Sequence, residues 1–148
     1  MPFVNSETGK VMSEREAYMD AITDRIHQIE QHGPEEEKSA REIPLCHLRH
    51  EFQVISDRFD RQNRELRAAG QKPLEEATLR PQYVRAIHTV QDEAATYPRP
   101  YDRWVAKSEL RLMDRKLEVI QNHYEKHNQE QTNTRQEPSH KPSQRQQS

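Results

Sequence analysis

Leu45, Leu48, Phe52, Ile55, Phe59, Gln62, Leu66 and Ala69 follow one another at alternating steps of three and four residues, the longest regular apolar pattern in the chain. That spacing gathers its members on one side of an α-helix and scatters them over both faces of a strand, so residues 45–69 are expected to be helical with that side buried. At about 1.5 Å per residue the stretch spans roughly 37 Å, long for a small domain. Gln62 is its polar interruption, of the kind that sets register or marks where a helix leaves its partner.

The rest of the chain resolves into helices around this one. Ser13 and Glu16 form a capping box that opens a first helix, which runs to about His32 with Tyr18, Ile22, Ile26 (or Arg25) and Ile29 on one face and Ala17 and Ala21 beside them. Gly33-Pro34 ends it, with a left-handed glycine cap expected. Residues 35–43 are acidic and lack an apolar face, which suits a linker or a short solvated helix. Pro44 then fits the first turn of the second helix, and Gly70 closes it. Leu74 and Leu79 anchor a connector. A third helix starts at Pro81, shows Tyr83 or Val84, Ile87, Val90 and Ala94, and ends near Thr96. The run Tyr97-Pro98-Arg99-Pro100-Tyr101 makes a stiff turn, because each proline restricts itself and the residue before it. A fourth helix follows from about Arg103 to Lys126, capped by Asp102, with Ala106, Leu110, Met113, Leu117, Ile120 and Tyr124 in step. Val105, Leu112 and Val119 make a second row about 100° around it, which implies a second neighbour and places this helix at the centre of packing.

The expected fold is therefore all-α: a small bundle of about four helices, two long and two shorter. Residues 1–12 are expected to be a flexible arm, 13–127 the helical domain and 128–148 a disordered polar tail without leucine, valine or aromatic residues. With 31% hydrophobic and 32% charged residues, the core must be thin. If the shorter helices have about 18 and 15 residues, each long helix keeps about ten without a partner, and something else should cover them.

Charge and cysteine content narrow the function classes. Residues 1–44 hold five Lys and Arg against ten Asp and Glu, a net of −5, and residues 45–72 hold six against four, a net of +2. Neither imbalance demands nucleic acid. Cys46 is the sole cysteine, so an intramolecular disulfide is excluded and a reducing compartment is the simplest expectation. The sequence shows no secretory leader and no long apolar run, so it reads as a cytoplasmic protein with no membrane contact.

Few residues suggest chemistry. Cys46, His47 and His50 cluster near one helical turn, but no second cysteine or matching pair completes a zinc set. His123 and His127 lack the glutamate that directly follows the first histidine in H-E-x-x-H. There is no Gly-rich phosphate loop and no G-x-S-x-G. The expectation is a protein that is not an enzyme, with no metal and no cofactor.

Two sets of residues point to binding instead. Tyr97, Tyr101 and Trp104, with Arg99 and Arg103, have the composition of an interface hot spot on a stiff turn, unless Trp104 simply plugs the end of the bundle. Phe59, Gln62 and Leu66 are the matching candidates on the second helix. Separately, Arg58, Arg61, Arg64 and Arg67 recur every third residue, and Lys107, Arg111 and Arg115 every fourth. Laid side by side, the two rows would form a cationic strip along a phosphate backbone, although Asp57, Asp60 and Glu65 dilute the first. The sequence thus favours a non-catalytic protein-interaction or adaptor protein, with self-association open to it. The alternative is a nucleic-acid-associated accessory protein using the two cationic rows.

Overall fold

The computed structural model describes residues 3–4 and 8–136, with side chains through residue 127. Four helices form an all-α bundle: α1 (Glu14–His32), α2 (Lys38–Ala68), α3 (Arg80–Ala94) and α4 (Pro100–Gln136). Short 3-10 turns at Glu35–Glu37 and Glu76–Leu79 lead into α2 and α3. The chain runs alternately up and down. Helices α2 and α4 touch each other and both of the shorter helices, whereas α1 and α3 flank them and reach each other through Tyr18 and Tyr83.

The apolar periods account for the interior. Ile22, Ile26 and Ile29 of α1, the seam from Leu45 to Phe59 on α2, Ile87 and Val90 of α3, and Leu110, Met113, Leu117 and Ile120 of α4 are all buried. Three rings from three helices meet in the middle. Tyr83 stacks on Phe52 at 4.4 Å between centroids and meets Tyr18 edge-on at 4.9 Å. Such pairs add about 0.5–1.5 kcal/mol each beyond their buried area.

Helix ends follow local rules in two places and depart from them in two others. Ser13 and Glu16 make the expected reciprocal cap of α1. Gly70 adopts φ 75° and closes α2 as a Schellman motif: its N–H donates to the Arg67 carbonyl, and that of Gln71 to Leu66. Gly33, expected to be left-handed, is extended at φ −74° and ψ 152°. Its requirement is space, since a Cβ there would sit 2.7 Å from the Ile29 carbonyl oxygen. Pro44 does not open α2 either. The helix starts at Lys38 and carries Pro44 inside it, because Ala40, Pro44 and Leu45 are all buried and that packing offsets the lost hydrogen bond to Ala40.

Four further differences concern extent and facing. The seam of α2 steps aside at its end: Gln62 is exposed and Asn63 is 5% exposed, its amide bonding both the N–H (2.7 Å) and the carbonyl (3.2 Å) of Leu74. The polar interruption therefore ties the α2–α3 connector to the bundle. On α4 the second apolar row finds cover only at Val105, while Leu112 is 37% and Val119 61% exposed. The helix continues through 128–136, where a tail was expected, and 137–148 lie outside the described residues. Of the expected arm, Val4 bridges Val11, Phe3 packs against Tyr124 and His123, and Met12 is buried, so the described part lies against α4. Residues 1–2 and 5–7 lie outside the described residues.

Candidate interaction surface

A turn of five residues carries the chain from α3 into α4, and Arg103 braces it by donating to the carbonyls of Tyr97 (2.5 Å) and Pro98 (3.1 Å). The same brace sets the first turn of α4 against the last turn of α3. Between them lies a groove of about 620 Å³, lined by Gln91, Asp92, Ala94 and Ala95 on one wall and Arg103, Trp104, Lys107 and Arg111 on the other. Two alanines in succession leave room at the floor. Trp104 is 61% exposed, so it does not plug the bundle; its ring lies tilted beside Tyr101, with centroids 6.1 Å apart.

Beyond Arg103, the wall carries Lys107 and Arg111, and Arg115 continues their row one turn past the groove. Lys107, Arg111 and Arg115 are exposed at successive i, i+4 positions, and none forms an ion pair or side-chain hydrogen bond among the described residues. Other arginines that border the core are engaged. Arg15 pairs with Asp60 (2.9 Å) and Glu76 (3.4 Å) and lies over the Phe59 ring. Arg80 makes a two-pronged contact with buried Glu14, at 2.6 and 2.9 Å.

Midway between Lys107 and Arg111 but on the inner side of α4, Glu109 is 1% exposed and receives Arg25 of α1 at 2.6 and 3.0 Å and Arg41 of α2 at 2.8 Å. Burial acts to raise its carboxyl pKa, but the hydrogen bonds and charges of the two guanidinium groups outweigh that and hold it below the usual carboxylate range. Arg41 also binds Glu37, which accepts a hydrogen bond from the Tyr101 hydroxyl. That hydrogen bond and Arg41 lower the Glu37 pKa, and the same contact raises that of Tyr101. The groove wall is thus anchored through Glu109 to two other helices and through Tyr101 to the start of α2.

The sequence-predicted residues divide accordingly. Arg103, Trp104, Lys107 and Arg111 come together in the groove, with Tyr101 beside Trp104. Tyr97 is half-buried against the core, and Arg99 pairs with Asp102 at 3.3 Å. Phe59, in contrast, is 6% exposed under Arg15, Leu66 is half-buried, and Gln62 faces outward alone, so these three form no common surface with the turn. Nor do the two cationic rows lie side by side. Glu109, between Lys107 and Arg111, is level with Arg41, and Arg58 is 17 residues further along α2, roughly 26 Å at helical rise. Arg58 bonds Gln82 at 3.3 Å, and Arg61, Arg64 and Arg67 continue away toward the end of α2.

Among the described residues no three or more His, Cys, Asp or Glu side chains converge as a metal site would require, and His47 is paired with Glu93 at 3.0 Å. No described helix is long and apolar enough to cross a membrane. Known protein families, curated proteins and solved structures offer no match to this chain. Its own geometry therefore has to carry the functional argument. That geometry adds Gln91, Asp92 and Ala95 as wall residues and Glu109, Arg25, Arg41 and Glu37 as anchors. None of these had a sequence signal beyond position on a helix, because each acquires its role from a residue more than 40 positions away or from an element packed against it.

Proposed function

We propose that the protein is a non-catalytic interaction protein that holds a protein partner in the α3–α4 groove, with Trp104 as the anchor. The observation that carries this reading is the 61% exposure of Trp104 in a groove whose opposite wall is small and whose frame is pinned by buried ion pairs. Leaving an indole in water forgoes on the order of 3–4 kcal/mol of burial that a partner can recover. A rigid frame helps, because a groove already formed spares the partner the entropy of ordering it. Tyr101 and the exposed Leu112 and Val119 extend the apolar surface along α4, which leaves room for self-association. The alternative, nucleic-acid binding along two adjacent cationic rows, loses its continuous strip because the rows lie at opposite ends of α2.

The test is a photo-crosslinking side chain placed at position 91, on the opposite wall of the groove, and irradiated in extract of the source cells. One protein, or a second copy of this chain, should be trapped, and Trp104→Ala should lower capture at least about tenfold with helicity unchanged. Equal capture by Trp104→Ala and the unaltered protein would end the proposal.

A further inference from the structure

The charges around the groove are specific enough to describe its occupant, and this step rests on reading the groove as a docking site. Lys107, Arg111 and Arg115 repeat every fourth residue over about 12 Å, a like-charge series that slightly destabilises a helix unless something opposes it. Across the groove stands Asp92 on α3, exposed and likewise without an ion pair among the described residues. Trp104 precedes Lys107 by one turn on the same wall, and Ala95 and buried Ala94 follow Asp92 on the other. The walls therefore ask for three things: negative charge opposite Lys107 and Arg111, apolar surface against the indole one turn earlier and the alanines facing it, and a donor or positive charge toward Asp92.

A nucleic-acid strand meets only part of this. Its phosphates would suit about three cations, but filling the groove would bring the same backbone against Asp92. An amphipathic helix meets all of it, since rows three and four residues apart carry different chemistry on neighbouring faces. We infer that the occupant is an acidic amphipathic helix of a partner protein, with carboxylates at i, i+4 facing Lys107 and Arg111, an apolar row turned into the groove against Ala94, Ala95 and Trp104, and a basic or amide row facing Asp92. This is the helix-in-groove mode with charge fixing the register.

Trp104 is the sole tryptophan, so its emission reports the groove directly. The probe is a synthetic helical peptide with Glu at successive i, i+4 positions, Leu on the adjoining row and Lys on the next. It should shift Trp104 emission to shorter wavelength in a saturable, salt-sensitive way. Replacing its Glu by Gln should weaken binding about tenfold or more, as should the charge reversal Lys107→Glu with Arg111→Glu in the protein. A peptide with Lys in place of Glu should then bind the reversed protein better than the unaltered one. Lys107→Gln with Arg111→Gln serves as the milder variant should reversal disturb folding.

Four results would overturn the inference. One is equal binding of the Glu and Gln peptides. Another is a thymidine oligonucleotide that shifts Trp104 more tightly than the acidic peptide at the same salt and gains further from Asp92→Lys. The third is an emission that changes with protein concentration alone, which assigns the groove to a second copy. If crosslinking at position 91 still traps a protein and the charge-reversed variant captures it equally well, the docking groove stands and the acidic helix falls.

Discussion

Helix α4 carries charge on two faces, and the fold treats them in opposite ways. On the inner face Glu109 is dry and shared by Arg25 and Arg41, so one carboxylate joins three helices. On the outer face Lys107, Arg111 and Arg115 have no acid partner among the described residues, although this third of the chain is not short of acids. The inner group is fixed by geometry and is costly to disturb. The outer groups are screened by water and contribute little to folding, which leaves them free for recognition. Position relative to the core, not charge itself, separates a structural ion pair from an exposed, unpartnered row.

The strongest way to break this contrast is Glu109→Ala. It leaves two guanidinium groups facing each other without their shared carboxylate and should cost about 3 kcal/mol in denaturant unfolding. That is the low end for a broken buried pair, because Arg25 and Arg41 keep some contact with water. A loss under about 1 kcal/mol would place the inner cluster on the same footing as the outer row.

Acid should act on the same cluster more gently. The Glu109 carboxyl is held below its ordinary range in the fold, so its stabilising contribution is present above the unfolded value of about 4.3 and is lost as pH falls through the lower folded value. The unfolding midpoint should therefore drop on acidification from neutral pH to about pH 3, and drop less in Glu109→Gln, which has no proton to take up. An identical pH profile for both proteins would remove Glu109 from the account.

The smallest effect is expected outside. Lys107→Ala or Arg115→Ala should change unfolding stability by less than about 0.5 kcal/mol, with a slight gain from relief of like-charge contact at i, i+4. A loss above about 1 kcal/mol would reveal a structural partner for these side chains and dissolve the distinction between the two faces.

Much of the bundle was legible in the sequence. The three-and-four spacing on α1, α2, α3 and α4 identified the buried sides correctly, from Tyr18 to Ile120, since a period is a local property of the chain. The Ser13 capping box and the Gly70 end were equally local and equally readable. The misreadings occur where a distant element intervenes. Pro44 was tolerated within a helix because its flanks are buried, Asn63 replaced Gln62 because the Leu74 backbone needed partners, and Leu112 and Val119 stayed outside because no described helix covers them. The candidate surface was half legible. Arg103, Trp104, Lys107 and Arg111 could be named as unusual, but the second wall and the anchors beneath could not.

The sequence by itself determined that this chain forms four helices with these apolar sides, because helical period and end signals are written within a few residues of one another. Only the tertiary structure decided which charged groups meet. It brought Arg25, Arg41 and Glu109 together, kept the 58–67 row and the 107–115 row apart, and left Trp104 uncovered beside Ala95. The reason is that a side chain's partner depends on how helices are placed around a common core, and each helix face leaves that placement open until the others are packed against it.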